Sequence, residues 1–153
     1  MFDPHVDTLY VWVAVGAVSI AVLGVVAQLP TTAPPDGAAV ATTVDEVATS
    51  PPGSVESREL TATKWSLTER RIGLRSESGT VHETLVRPVV PAVEEGLVAV
   101  LNGTLPSTVF ESSAAFNRSI ESARTDRGEW RAAPDRLTVR RVAWGGTDVT
   151  LVG

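Results

Sequence analysis

Between Leu9 and Leu29 the chain runs for 21 residues without a charged side chain, LYVWVAVGAVSIAVLGVVAQL, and only Ser19 and Gln28 are strongly polar. A helix of that length reaches about 30 Å, the thickness of a bilayer's hydrocarbon core. A core helix in so small a protein keeps a solvent face, so the pattern predicts a transmembrane helix over 9–29. Tyr10 and Trp12 stand at its entrance as interfacial anchors, and Pro30 ends it. The preceding tail, residues 1–8, carries Asp3 and Asp7 and no Lys or Arg. A cleavable secretory signal has a basic start, so a retained anchor is expected. The tail also lacks the basic residue ahead of a small one that prepilin-type cleavage needs. The first basic residue of the chain is Arg58, so flanking charge does not set the orientation. Gly16, Ala17, Ala21 and Gly24 are small positions that suit lateral helix packing.

Behind this segment, residues 30–54 contain Pro30, Pro34, Pro35, Pro51 and Pro52 among Thr, Ala and Asp. Proline removes donors and holds the chain extended, which predicts a semi-rigid stalk; Ala38 to Thr49 offers one or two helical turns as the alternative. Residues 55–153 then form the folded part. Five of the 18 acidic residues precede Val55, leaving 13 against all 13 basic ones. A nearly neutral domain without a basic stripe argues against nucleic acid as a partner.

Within 55–153 the hydrophobic period changes twice. Ser57 to Leu67 reads as a strand with Thr61, Thr63, Trp65 and Leu67 on one side. Arg70 to Arg75 and Gly79 to Leu85 read as a hairpin around SESG, with Ile72 and Leu74 facing Val81 and Leu85. After Pro88, Val90, Val93, Leu97 and Leu101 recur at helical steps, with Asn102-Gly103 as the stop. A second helix is expected from Thr108, where Thr108 and Glu111 have capping-box spacing, to Arg124. Leu137 to Trp144 and Val149 to Val152 are strands joined through Gly145-Gly146. Strands, two helices, strands predict an α+β fold in which helices cover one face of an antiparallel sheet.

Catalytic chemistry finds little to work with. The chain has no cysteine, which excludes disulfides, thiolate metal sites and cysteine nucleophiles. His5 and His82 have no ligand partner at motif spacing, and no GxSxG elbow supports a serine triad. Glu94 and Glu95 read as favourable charge at a helix start. Arg140 and Arg141 fall on opposite faces of one strand. No catalytic residue, metal or cofactor is expected, and the reading is not an enzyme.

Trp65, Trp130 and Trp144 lie in or near the domain and serve either core packing or protein contact. Phe110 and Phe116 fit helix-to-sheet contacts. Asn102-Gly103-Thr104 and Asn117-Arg118-Ser119 are glycosylation acceptor sequences, and both favour an external domain.

The start MFDPHVDTLYVWVAVGAVSIAVLG, the Pro/Thr segment behind it and the end TVRRVAWGGTDVTLVG resemble a haloarchaeal family of small uncharacterised single-pass membrane proteins associated with type IV pilus-like gene clusters. The resemblance implies a filament-associated accessory or minor pilin-like protein and carries over no catalytic residue. The expected protein is a membrane-anchored structural or accessory component of a cell-surface assembly, its C-terminal domain extracytoplasmic. Its expected partners are membrane lipid, other membrane or filament-assembly proteins and further copies of itself. A ligand-sensing or ligand-binding ectodomain of an envelope complex is the alternative.

Overall fold

The structure, a computed structural model, describes residues 10–18 and 33–153. The chain divides into two compact units, Met1–Ala33 and Pro34–Gly153. In the first, residues 10–18 form helix α1, whose side chains are exposed. Among the described residues no helix is long and apolar enough to cross a membrane. This corrects the transmembrane helix expected over 9–29, which the described residues do not form. Leu9, residues 19–29 and the tail 1–8 lie outside the described residues. Gly16 and Ala17 fall on α1, where a Cβ built on Gly16 meets nothing within 4 Å. Ala21 and Gly24 lie outside the described residues.

The second unit begins at Pro34, 21 residues earlier than the Val55 that the sequence suggests. Helix α2, Gly37–Thr49, occupies the expected stalk. Asp36 caps it by accepting from the Ala39 amide at 3.0 Å, and Pro51 stands just beyond Ser50, its last cap. The described prolines of the segment, Pro34, Pro35, Pro51 and Pro52, lie outside the helix, so none of them breaks it. Val40, Ala41, Val44, Val47 and Ala48 recur at three- and four-residue steps and are buried. This apolar stripe, rather than the proline content, decides the outcome.

Among the described residues, eight strands form two four-stranded sheets. The first has the order β1 (Val55–Glu59), β7 (Arg136–Trp144), β8 (Thr147–Val152), β5 (Val90–Pro91). The second has the order β4 (Gly79–Thr84), β3 (Arg71–Ser76), β2 (Lys64–Thr68), β6 (Arg131–Ala132). All pairings are antiparallel except β5 with β8. The strand expected over Ser57–Leu67 is therefore two strands in different sheets. Leu60 turns its amide to Asp135 and Thr63 turns its amide to Arg75, so the chain changes sheets between them. In the hairpin, Leu74 stands opposite Val81 as expected, while Ile72 faces Glu83.

Two cores result. In one, α2 packs with Trp65, Leu67, Ile72, Leu74, Leu85 and Val89 of the second sheet and its flanks, and with Leu137, Val139 and Val152 of the first. The other lies on the opposite face of the first sheet. There helices α3 (Glu95–Leu101) and α5 (Ser113–Arg124) bury Leu97, Val100, Leu101, Phe116, Ile120 and Ala123 against Val142, Val149 and Leu151. The first sheet is thus covered on both faces, and Val149, Thr150, Leu151 and Val152 of β8 are all buried in succession.

Both helix starts differ from the sequence reading. Val90 and Pro91 pair with Leu151 and Val152 as β5, which delays α3 to Glu95. The Thr108/Glu111 pair caps nothing: Pro106–Val109 is a separate short turn, α4, and α5 is capped by Ser112, which accepts from the Ala115 amide at 3.2 Å. The turn between β7 and β8 uses Gly145 and Gly146 at φ 56° and 84°, the conformation that favours glycine in a two-residue hairpin.

Candidate functional site: an aromatic and arginine platform

Alternation along β2, β3 and β4 sends Trp65, Leu67, Ile72, Leu74 and Val81 inward. The outward face then carries Lys64, Ser66 and Thr68, Arg71, Gly73 and Arg75, and Thr80, His82 and Thr84. These strand positions hold two arginines and a lysine and no carboxylate.

Ser66, Gly73 and His82 form one row across this face. Gly73 leaves room for both neighbours: a Cβ there would stand 2.7 Å from Ser66 Oγ and 2.9 Å from His82 Nδ1, so any larger residue requires one of them to move. Beside the row, the half-buried Trp130 meets the His82 ring edge-on, with centroids 5.7 Å apart. The Arg75 guanidinium lies 4.2 Å from the centroid of Trp130, and its Nε donates to Thr80 Oγ1 at 3.1 Å. A cation held over an indole face in this way gains about 0.5–1 kcal/mol at an exposed site. The cluster is therefore positioned before any partner arrives.

The loop that delivers Trp130 is tied down by Asp126, whose side chain is only 8% exposed. Its carboxylate accepts from Arg131 Nη2 and from the Gly128 amide, the latter at 3.0 Å. Burial alone would raise the Asp126 carboxyl, but the Arg131 hydrogen bond, the Gly128 and Glu129 amides and the Arg131 charge outweigh it and hold it below its ordinary value. Gly128, at φ 72°, takes a conformation that an L side chain rarely adopts and fits against Thr68.

The three tryptophans do not converge. Trp65 is 7% exposed and belongs to the first core, which corrects its candidacy as a contact residue. Trp144 is half-buried and rests on Phe116 at 5.8 Å between ring centroids; Phe110 flanks the same ring at 5.3 Å. Trp130 alone of the three lies on an outward sheet face in company with a cation.

Of the two acceptor sequences, Asn102 is exposed at the C-cap of α3. Asn117 lies within α5, where Thr147 Oγ1 donates to its Oδ1 and Ser119 donates to Glu94. His5 lies outside the described residues. Among the described residues no group of three His, Asp or Glu side chains is placed to hold a metal.

Two arginines that the sequence presented only as a face-splitting pair have definite partners. Arg140 Nε donates to Leu101 O at 2.8 Å, at the end of α3. Arg141 Nη1 donates to Ser50 O, at the end of α2. Each arginine closes the C-terminus of the helix on its own side of the sheet, where unpaired carbonyls favour a cation. Beside Arg140 a groove of about 280 Å³ is lined by Val100, Leu105, Pro106, Val142 and Ala143.

A family of unknown function, DUF7283, matches residues 3–142. The chain belongs to DUF7283. No curated protein and no solved structure matches it. The DUF7283 description assigns no activity, so function rests on the geometry above.

Proposed function

We propose that this DUF7283 chain is a non-catalytic, membrane-associated structural or accessory protein of a cell-surface assembly of the type IV pilus-like kind, working through protein contacts made by its Pro34–Gly153 unit. The observation that carries the reading is the Trp130, Arg75 and His82 cluster on a sheet face whose strand positions are basic and free of carboxylates. Tryptophan and arginine are the residue types that most often dominate binding energy at protein interfaces. The charge of the face fits a partner surface rich in Asp and Glu.

The test is cross-linking in intact cells and purification of the full-length chain, comparing wild type with Trp130→Ala and Arg75→Ala. Loss of membrane or filament proteins from the captured set in both variants supports the reading. Capture of the same set by all three removes it. Thr147→Cys, a single cysteine in a chain that has none, adds the location: labelling by an impermeant thiol reagent in intact cells is expected, and protection would overturn external placement.

The ligand-binding alternative has the groove beside Arg140 in its favour. At about 280 Å³ it lies just under the usual range of roughly 300–1,000 Å³ for small-molecule sites. Saturable small-molecule binding abolished by a Val142→Trp block would replace the contact reading.

A further inference from the structure

The first sheet ends at β1, and every residue of that strand, Val55-Glu56-Ser57-Arg58-Glu59, is exposed. The ladder with β7 fixes which way its peptide groups turn. Arg141 N donates to Ser54 O at 2.9 Å and Leu60 N donates to Asp135 O at 3.0 Å. Thr138, which faces Ser57, exchanges both of its bonds with Gly153 instead. Bonded and non-bonded pairs alternate in an antiparallel ladder. Glu56 and Arg58 therefore turn their backbone groups toward β7, while Val55, Ser57 and Glu59 turn theirs out to the open edge.

We infer that this edge pairs with the β1 edge of a second copy of the chain, antiparallel, about a two-fold axis at Ser57. In that register Ser57 faces its own copy and Val55 faces Glu59, so all three outward residues of each strand meet outward residues of the other. Glu56 then stands opposite Arg58 of the second copy, and Arg58 opposite Glu56, both on the α2 side of the sheet. These are non-hydrogen-bonded positions, where facing side chains approach most closely. Opposite charges placed so are favourable and like charges are not. The neighbouring registers in the same phase set Glu56 against Glu56 or Arg58 against Arg58. Charge and backbone phase thus select one alignment, which joins two four-stranded sheets into one isologous eight-stranded sheet.

Two of the other edge strands, β5 and β6, have only two residues each, and β5 contains Pro91. The inference rests on the first sheet alone, whereas the platform lies on the second, so either can fail without the other.

The test uses the full-length chain carrying Ser57→Cys as its single cysteine. Residues directly opposed in a hydrogen-bonded antiparallel pair have Cα atoms about 5.5 Å apart, a separation that a disulfide spans. Mild oxidation is expected to give disulfide dimers far in excess of those from Glu77→Cys in the β3–β4 turn. Adding Glu56→Arg or Arg58→Glu reverses two cross-strand pairs at once and is expected to cut the dimer yield about tenfold. Adding both restores it. Arg58 Nη1 also donates to Thr43 Oγ1 at 3.2 Å. That bond is lost in the single Arg58→Glu variant and in the double variant alike, so recovery in the double reports the charge pairing. Equal cross-linking from the two cysteine positions, or a double reversal as poor as the singles, overturns the inference.

Discussion

Arg141 holds Asp148 with two parallel bonds, Nε to Oδ1 at 2.9 Å and Nη2 to Oδ2 at 2.6 Å, while its remaining nitrogen reaches Ser50 O at the end of α2. One guanidinium thereby fastens a helix to the β7–β8 hairpin. The Arg141 hydrogen bond holds the Asp148 carboxyl below its ordinary value of 3.8; burial opposes this and the Arg141 charge adds to it. A carboxylate whose folded pKa is depressed contributes stability above its unfolded pKa and loses it as pH falls through the folded value. Asp148→Asn is therefore expected to lower the Tm at pH 7, with the gap to wild type closing below about pH 4. A gap that stays constant from pH 7 to pH 3 would contradict this.

Phe116 has no exposed surface and touches both Phe110 and Trp144, whereas Leu105 is 68% exposed on the loop before α4. Phe116→Ala is expected to cost about 3–5 kcal/mol in urea unfolding, through lost burial and the cavity left behind. Leu105→Ser is expected to stay within about 0.5 kcal/mol of wild type. Similar costs for the two would deny the second core its centre.

Removal of residues 1–54 takes away α2, and with it the groups that cover Trp65, Leu74, Leu137 and Val139. A chain starting at Val55 is expected to lose cooperative thermal unfolding, while one starting at Ala33 keeps it. Sharp unfolding of the shorter chain, seen by calorimetry, would return α2 to the role of a stalk.

Gly73→Ala places a methyl group within van der Waals overlap of Ser66 and His82. The expected cost is about 1–3 kcal/mol, typical of overpacking. His82 must give way, and the Trp130 fluorescence, read in a Trp12→Phe, Trp65→Phe, Trp144→Phe background, is expected to shift as the ring loses its edge contact. An unchanged spectrum with unchanged stability would mean that the row has slack that the distances deny.

Much of the 55–153 region was legible because its signals are local. The Val and Thr content of β7 and β8, the glycine pair between them and the stripe of α5 each mark one element without help from distant residues. Val90 and Pro91 were misread because helical spacing continues through them, and only pairing with Leu151 and Val152 makes them a strand. The α2 segment was misread for the opposite reason: its prolines are conspicuous, while a stripe of Val and Ala identifies a core helix only once a core exists to receive it. Trp130 was recognisable as a contact candidate, but its cation was not. Arg75 reaches it across the sheet from 55 positions away in sequence, and nothing at either residue announces the other. Trp65 shows the same limit in reverse, since composition alone cannot tell the inward from the outward side of a strand.

The placement of Arg140 and Arg141 back to back in β7 has a consequence for how the Pro34–Gly153 unit comes apart. Each clasps a helix on a different side, and Leu137 and Val139 serve one core while Val142 serves the other. Neither helix can leave without stripping one side of the same strand, so partial opening of either half is felt by the other. The amide protons of β7 are then the last to trade with solvent, released only when the whole unit opens, and local fraying is left to the margins of the fold.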